Sequence, residues 1–271
     1  MRRLRGLVIA SHALPTIAVT SLLTVFAWSI GWRGSALLLV ATAVLVGQLS
    51  VGWSNDAFDA ATDERAQRRE KPTVAGSVTA STLWVCATTA LITSSLLSWW
   101  AAGLIGGSFH VFAVACAWIY NVRLSRTSWS WLPYALAFGA VPPFLYLGLD
   151  GSWPPWWTMV VFAIIAVSAH LANAMKDLES DSGTGLGGLA IRLGARRSAL
   201  LCWVLLGVGT ALLVWVAIAS DSSPWTSAVL VLGYLTAILY ATFARQRSAM
   251  FMALLTVVAL DVIALITSPA L

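Results

Sequence analysis

Two short stretches of this chain repeat one spacing of oxygen-bearing side chains. The first reads N-D-A-F-D-A-A-T-D from Asn55 to Asp63, and the second reads N-A-M-K-D-L-E-S-D from Asn173 to Asp181. Aligned on their asparagines, both become N-x-x-x-D-x-x-x-D, so that Asn55, Asp59 and Asp63 correspond to Asn173, Asp177 and Asp181. Residues four apart share one face of a helix, so each set forms a polar row along a helix end. Carboxylates in such a row repel one another, and a helix C-terminus disfavours negative charge, so something positive must lie between them. Oxygen ligands without a nearby Cys or His pair favour a hard cation. Magnesium keeps several waters and binds a few carboxylates together with phosphate oxygens. The bare chemistry is a magnesium-bridged phosphate ligand, Mg2+, at one mouth of a helical bundle.

Basic residues stand where such a ligand needs them. Arg68, Arg69 and Lys71 follow the first row, and Arg123 and Arg126 follow Tyr120 and Asn121. Charge-assisted bonds from these groups suit diphosphate oxygens. Lys176 adjoins the second row, and His170 lies seven residues before Asp177 with Asn173 between them, which makes His170 and Asn173 acceptor-side candidates. The competing reading of His170 is a hydrogen-bonded core histidine. Asp261 is an acid inside the last apolar run, where an ionisable group is functional or caps a nearby hydroxyl or backbone group. The glycine-rich stretch Ser182–Gly188 follows no strand, so it is not a nucleotide fingerprint. Cys86, Cys116 and Cys202 are scattered in apolar segments and read as small core residues, neither paired nor zinc-binding.

The elements that must position these groups are membrane helices. Of the residues, 59% are hydrophobic and 10% charged, and the mean hydropathy is +0.83. Soluble domains are about 25% charged, so this chain needs the bilayer as its solvent, and long continuous apolar runs select helices over a barrel. Nine spans are predicted, near 7–29, 35–55, 78–100, 104–121, 131–149, 156–176, 198–219, 225–244 and 248–268. The expected fold is an all-α integral membrane bundle of nine transmembrane helices around a central cavity. It forms a single domain over 1–271, built of two related halves that each present one acidic row. With nine spans, 15 of the 16 basic residues fall on one side and only Arg33 on the other. The positive-inside rule then places the N-terminus and both rows in the cytoplasm and the C-terminus outside, in a plasma membrane. Trp28, Trp32, Trp99, Trp100, Trp153, Trp156, Trp157 and Trp225 fall at the predicted outer ends, as interfacial anchors do. The net charge of +5 belongs to helix ends and does not indicate nucleic acid.

The first row, with Lys71-Pro72 and Gly76 after it, resembles the N-D-x-x-D-x-x-x-D signature and trailing R/K-P…G of the UbiA superfamily of intramembrane prenyltransferases. Asp177 and Asp181, followed by Arg192-Leu193-Gly194, resemble that family's second motif and its R-L-G, and Tyr120–Arg126 resembles its Tyr-and-basic segment. The resemblance covers nearly the whole chain. It implies magnesium ions held by Asn55, Asp59, Asp63, Asp177 and Asp181, with Asp56 among the catalytic acids of the first motif. It implies diphosphate contacts from Arg68, Lys71, Tyr120, Arg123 and Lys176. The implied reaction ionises a prenyl diphosphate, and a small-molecule acceptor, usually an aromatic ring of the quinone-precursor kind, takes the allylic cation. Phe58, Tyr120 and Trp53 are the aromatic candidates for steadying that cation.

Two other readings share parts of this chemistry. A membrane terpene cyclase of the same superfamily would ionise the same substrate and close the cation on itself. A cation transporter would also use repeated acids, although such sites lie near the bilayer midplane and these rows lie at its edge.

Overall fold

The computed structural model describes residues 2–176, 188–243, 247–268 and 270. Among them there is no strand. The helices are α1 (Arg2–Ala10), α2 (Ala13–Ile30), α3 (Gly34–Arg65), α4 (Ala80–Val122), α5 (Leu132–Gly139), α6 (Val141–Leu149), α7 (Trp156–Lys176), α8 (Leu189–Ala219), α9 (Pro224–Phe243) and α10 (Arg247–Ile266). A short 3-10 turn, Leu124–Arg126, follows α4.

Seven helical stretches are long and apolar enough to cross a membrane, one of them being α5 and α6 together over Leu132–Leu149, and Met252–Ile266 adds a shorter one. The α4 stretch is two arms, because the chain reverses at Gly103 with φ 66° and ψ 179°. Only glycine adopts that left-handed backbone without strain. Beyond the reversal the arms touch, with the Trp99 indole donating to Ser108 Oγ at 3.1 Å and Ser98 Oγ 2.7 Å from His110 Nδ1. The described residues therefore account for all nine predicted spans, in a multi-pass membrane protein. Outward residues such as Leu38, Val85, Ile92, Leu104, Leu232 and Phe243 are exposed, as a lipid-facing surface requires.

Two spans at the N-terminal end differ from their predicted limits, and α8 begins at Leu189 rather than near 198. The first, predicted to run unbroken from residue 7, is interrupted between α1 and α2 at Ser11 and His12, where His12 takes φ 51°. Pro15, in the first turn of α2, has no N–H for the Ser11 carbonyl, which accepts from Thr16 Oγ1 at 2.7 Å instead. Helix α3 packs into the elbow: a Cβ on Gly52 would stand 2.6 Å from that same carbonyl oxygen. The second difference is at the other end of α3. The apolar run ends near residue 55, yet the helix continues to Arg65 and carries the whole first acidic stretch in helical form.

The chain forms two compact units. One comprises Met1–Arg123 and Ala140–Trp153, and the other Leu124–Gly139 and Pro154–Leu271. In the first, α3 packs on both arms of α4 through small and hydroxylated residues. Ser50 Oγ donates to the Ala87 carbonyl at 2.9 Å, and Ser94 Oγ to that of Ala43 at 2.8 Å. Such residues let membrane helices approach closely and bond across the gap. In the second, Leu171, Cys202, Leu206 and Leu254 are fully buried at the centre of an apolar cluster from α7, α8 and α10. All three cysteines are free.

Candidate functional site

The first acidic stretch occupies the last three turns of α3. Asn55, Asp59 and Asp63 are in register at four-residue steps within one unbroken helix. The orientation of Asn55 is fixed by α4: its Nδ2 donates to Asn121 Oδ1 at 3.3 Å. Asn121 is itself anchored, because its Nδ2 donates to the Val51 carbonyl at 3.0 Å and to Ser54 Oγ at 2.9 Å.

Asp56, one position along, is buried among partners. Its Oδ1 accepts from Lys71 Nζ at 2.7 Å and from His12 Nε2 at 2.9 Å. A carboxylate oxygen only accepts, so the His12 proton bridging them is on Nε2. The left-handed backbone at the α1–α2 elbow is what aims this ring at α3. Asp56 thereby ties three segments together: the elbow, α3 and the connection carrying Lys71. The Asp56 carboxylate neutralises Lys71 from one side, while an ammonium has three donors and two remain. His12 carried no signal in the sequence, since its partner lies 44 residues away.

Asp63 closes the row. Its Oδ1 accepts from Arg68 Nη1 at 3.2 Å, and Arg68 Nε also donates to Glu70 at 3.1 Å. Burial alone would lower the Arg68 pKa, but the bond to Glu70 and the nearby Asp63 and Glu70 charges raise it above its ordinary value. Glu70, bonded by its own backbone amide and by Arg68, is held below the usual carboxylate range. The other Asp63 oxygen, Oδ2, is buried and has no hydrogen-bond partner among the described residues. A buried acceptor without a donor is costly unless a cation or water meets it. The donor set fits a hard cation: an orphaned carboxylate oxygen at Asp63, the carboxylate of Asp59, and the amide oxygen of Asn55. No three His, Cys, Asp or Glu side chains gather into a metal group among the described residues, so the first row is a partial ligand set.

The aromatic candidates divide. Phe58 sits against Trp84 with centroids 4.5 Å apart and near Trp118 at 6.4 Å, as packing between α3 and α4. Trp53 donates to the Leu7 carbonyl at 2.9 Å and packs with Ala10, Ala57 and Leu83. Tyr120 lies in the last turn of α4, and Arg123 is exposed at its C-cap.

In the second unit, His170 is buried, stacks on Tyr134 with centroids 4.2 Å apart, and places Nε2 3.3 Å from Ser130 Oγ. The same Ser130 oxygen accepts from the Leu189 amide at 3.0 Å. The arrangement is that of a hydrogen-bonded core histidine, whereas Asn173 is exposed on α7. Lys176 is the last residue of α7, and Asp177 and Asp181 lie outside the described residues. Asp261 is fully buried and accepts from Thr210 Oγ1 at 2.9 Å, so a hydroxyl meets one of its oxygens.

A profile of the UbiA prenyltransferase family matches residues 13–262. The digeranylgeranylglyceryl phosphate synthase of Methanoregula boonei is 29% identical over an alignment of 174 residues that covers 61% of this chain and 60% of that protein. The chain thus spans about 60% of the length of the curated relative it matches. Among solved structures, that of a digeranylgeranylglyceryl phosphate synthase superposes with a TM-score of 0.74 at 13% identity, covering 99% of each chain. A UbiA homologue from Archaeoglobus fulgidus bound to GPP and Mg2+ superposes with a TM-score of 0.72 at 14% identity, covering 98% of this chain and all of that one. At those identities the likeness concerns the fold.

Proposed function

Because this chain belongs to the UbiA prenyltransferase family, we propose that it transfers an isoprenyl group inside the membrane, from a prenyl diphosphate to a small-molecule acceptor. The observation that carries the reading is the end of α3. A row of oxygen ligands with an orphaned buried oxygen at Asp63 stands beside two cations, Lys71 and Arg68, that carboxylates hold in place.

The roles follow from the chemistry of each group. Asn55, Asp59 and Asp63 would hold Mg2+, and Asp177 and Asp181, by their matching spacing, are proposed as further ligands. Magnesium bound there would supply Lewis acidity toward the diphosphate oxygens. Lys71 offers its remaining donors to a diphosphate oxygen, and Arg68, Tyr120, Arg123 and Lys176 are proposed to share that task. The bond between the allylic carbon and diphosphate breaks, its electron pair leaving with the diphosphate. The acceptor then bonds to that carbon and gives up a proton. Apolar helices keep water from the cation. Asp56 shapes the site through Lys71 and His12. The A. fulgidus homologue with GPP and Mg2+ supports this assignment of substrate and metal.

An aromatic acceptor is the expectation from sequence. The likeness to a digeranylgeranylglyceryl phosphate synthase favours a second reading, a hydroxyl of a glyceryl phosphate. The rows are proposed to face the cytoplasm of a cell membrane.

Purified protein in nanodiscs, given Mg2+, a series of prenyl diphosphates and acceptors of both kinds, is expected to release diphosphate and form one prenylated product, identified by mass spectrometry. Diphosphate release without any acceptor would indicate the cyclase instead. Asp59→Ala is expected to lower turnover roughly 100-fold or more while leaving the protein folded. Wild-type turnover in that variant would remove Asp59 from the metal site.

A further inference from the structure

We infer that Asn121 is a positioning residue that decides which end of the Asn55 amide faces the metal. This rests on the reading of Asn55 as a magnesium ligand given above. An amide presents a carbonyl oxygen at one end and an NH2 group at the other, and only the oxygen can bind a hard cation. Which end points where is settled here by the groups around it. The Val51 carbonyl is an acceptor, so the Asn121 atom 3.0 Å from it is the donor Nδ2. Ser54 Oγ donates its own proton to the same carbonyl at 2.9 Å, which leaves it to accept the second Nδ2 proton at 2.9 Å. Both Nδ2 protons of Asn121 are then used, and its Oδ1 must face Asn55. That oxygen only accepts, so Asn55 meets it with Nδ2, at 3.3 Å. The Asn55 carbonyl oxygen is consequently turned away from Asn121, free for a cation.

The relay is also buried where it is anchored. Ser54 is fully buried and Asn121 nearly so. A buried, fully satisfied polar network has one arrangement rather than several. With Asn121 removed, nothing on α4 holds the Asn55 amide with its oxygen toward the metal, and the amide is free to rotate about its last bond. Ligand-orienting groups of this kind are typically worth 10–100-fold in metal affinity.

The test is a Mn2+ titration of the full-length protein in nanodiscs with inorganic diphosphate, read by electron paramagnetic resonance. Asn121→Ala is expected to weaken Mn2+ binding about 10-fold. Asn55→Ala should weaken it by at least as much, and adding Asn121→Ala to that variant should change it less than about twofold, because the relay acts through Asn55 alone. In an Asn55→Asp background, which presents oxygen at either end, Asn121→Ala should again cost less than about twofold. Asn121→Ala with wild-type Mn2+ affinity, whatever its unfolding temperature, overturns the inference, since a packing role alone predicts that result. An equal loss in the Asn55→Ala background overturns it too. If Asn55→Ala and Asp59→Ala both retain wild-type Mn2+ affinity, the metal-site reading itself fails, a result separable from the others.

Discussion

Asp56 is held by two donors on one oxygen, and each contributes differently. Removing the ammonium by Lys71→Met leaves a buried carboxylate with only His12 for company. That change is expected to destabilise the protein by about 3–5 kcal/mol, as losing one partner of a buried ion pair does. Replacing both members, Asp56→Asn with Lys71→Met, should recover most of the loss, and thermal unfolding in detergent measures both. A full loss in the double variant would mean that Lys71 stabilises through other contacts. At this scale the sequence is informative about rows and silent about partners. The four-residue steps of Asn55, Asp59 and Asp63 are visible because one helix sets them. The Asp56 contacts to His12 and Lys71, and the Asn121 relay 66 residues from Asn55, depend on tertiary approach. No local pattern encodes them. Asp56 looks in sequence like its neighbouring metal-type acids, and only its burial and its donors mark it as a tie between segments.

Among the helices, the α1–α2 elbow rests on a close backbone approach. Gly52→Ala would place a methyl 2.6 Å from the Ser11 carbonyl oxygen, a backbone atom that no side-chain rotation can move away. Relief requires moving a helix, so a loss of about 1–3 kcal/mol is expected. Gly139→Ala, whose Cβ meets nothing closer than 3.6 Å, is the matched control and should change stability by less than about 0.5 kcal/mol. Equal unfolding temperatures for the two variants would show that the elbow adjusts freely. The elbow explains why the first span was misread as continuous. Averaged hydropathy runs on through Ser11 and His12, but Pro15, in the first turn of α2 with no N–H for the Ser11 carbonyl, is the local signal of the break, and α3 packs against the elbow it leaves. By contrast, the predicted limits near Gly103, over 156–176 and at the 219 end of 198–219 were legible, because glycine punctuation and apolar length are properties of the segment itself. Helix α8 begins nine residues earlier than its apolar run, at Leu189, with the left-handed Gly194 interrupting its first turns.

For the whole molecule, the test of topology is which face of the membrane each connection reaches. Nine spans place Gln67, after α3, and Ser223, after α8, on opposite sides. Single cysteines at these two exposed positions, in a chain with Cys86, Cys116 and Cys202 replaced by alanine, should label from opposite sides of sealed vesicles. A membrane-impermeant maleimide is expected to reach Ser223→Cys from outside and Gln67→Cys only after the vesicles are opened. Labelling of both from one side would break the count. The number of spans and the one-sided distribution of positive charge are readable from composition, since the bilayer imposes both. The division into two compact units is not, because it assigns Leu124–Gly139 to one and Ala140–Trp153 to the other within a single apolar run.

The reversal at Gly103 also bears on how the chain is made. A turn of one residue leaves no tether between the two arms of α4, and Ser98, Trp99 and Ser108 lock them side by side directly beneath it. The two arms are therefore expected to insert as one helical hairpin rather than one after the other, although Ser98 and Ser108 each also donate to a carbonyl of their own arm, Ser94 and Leu104.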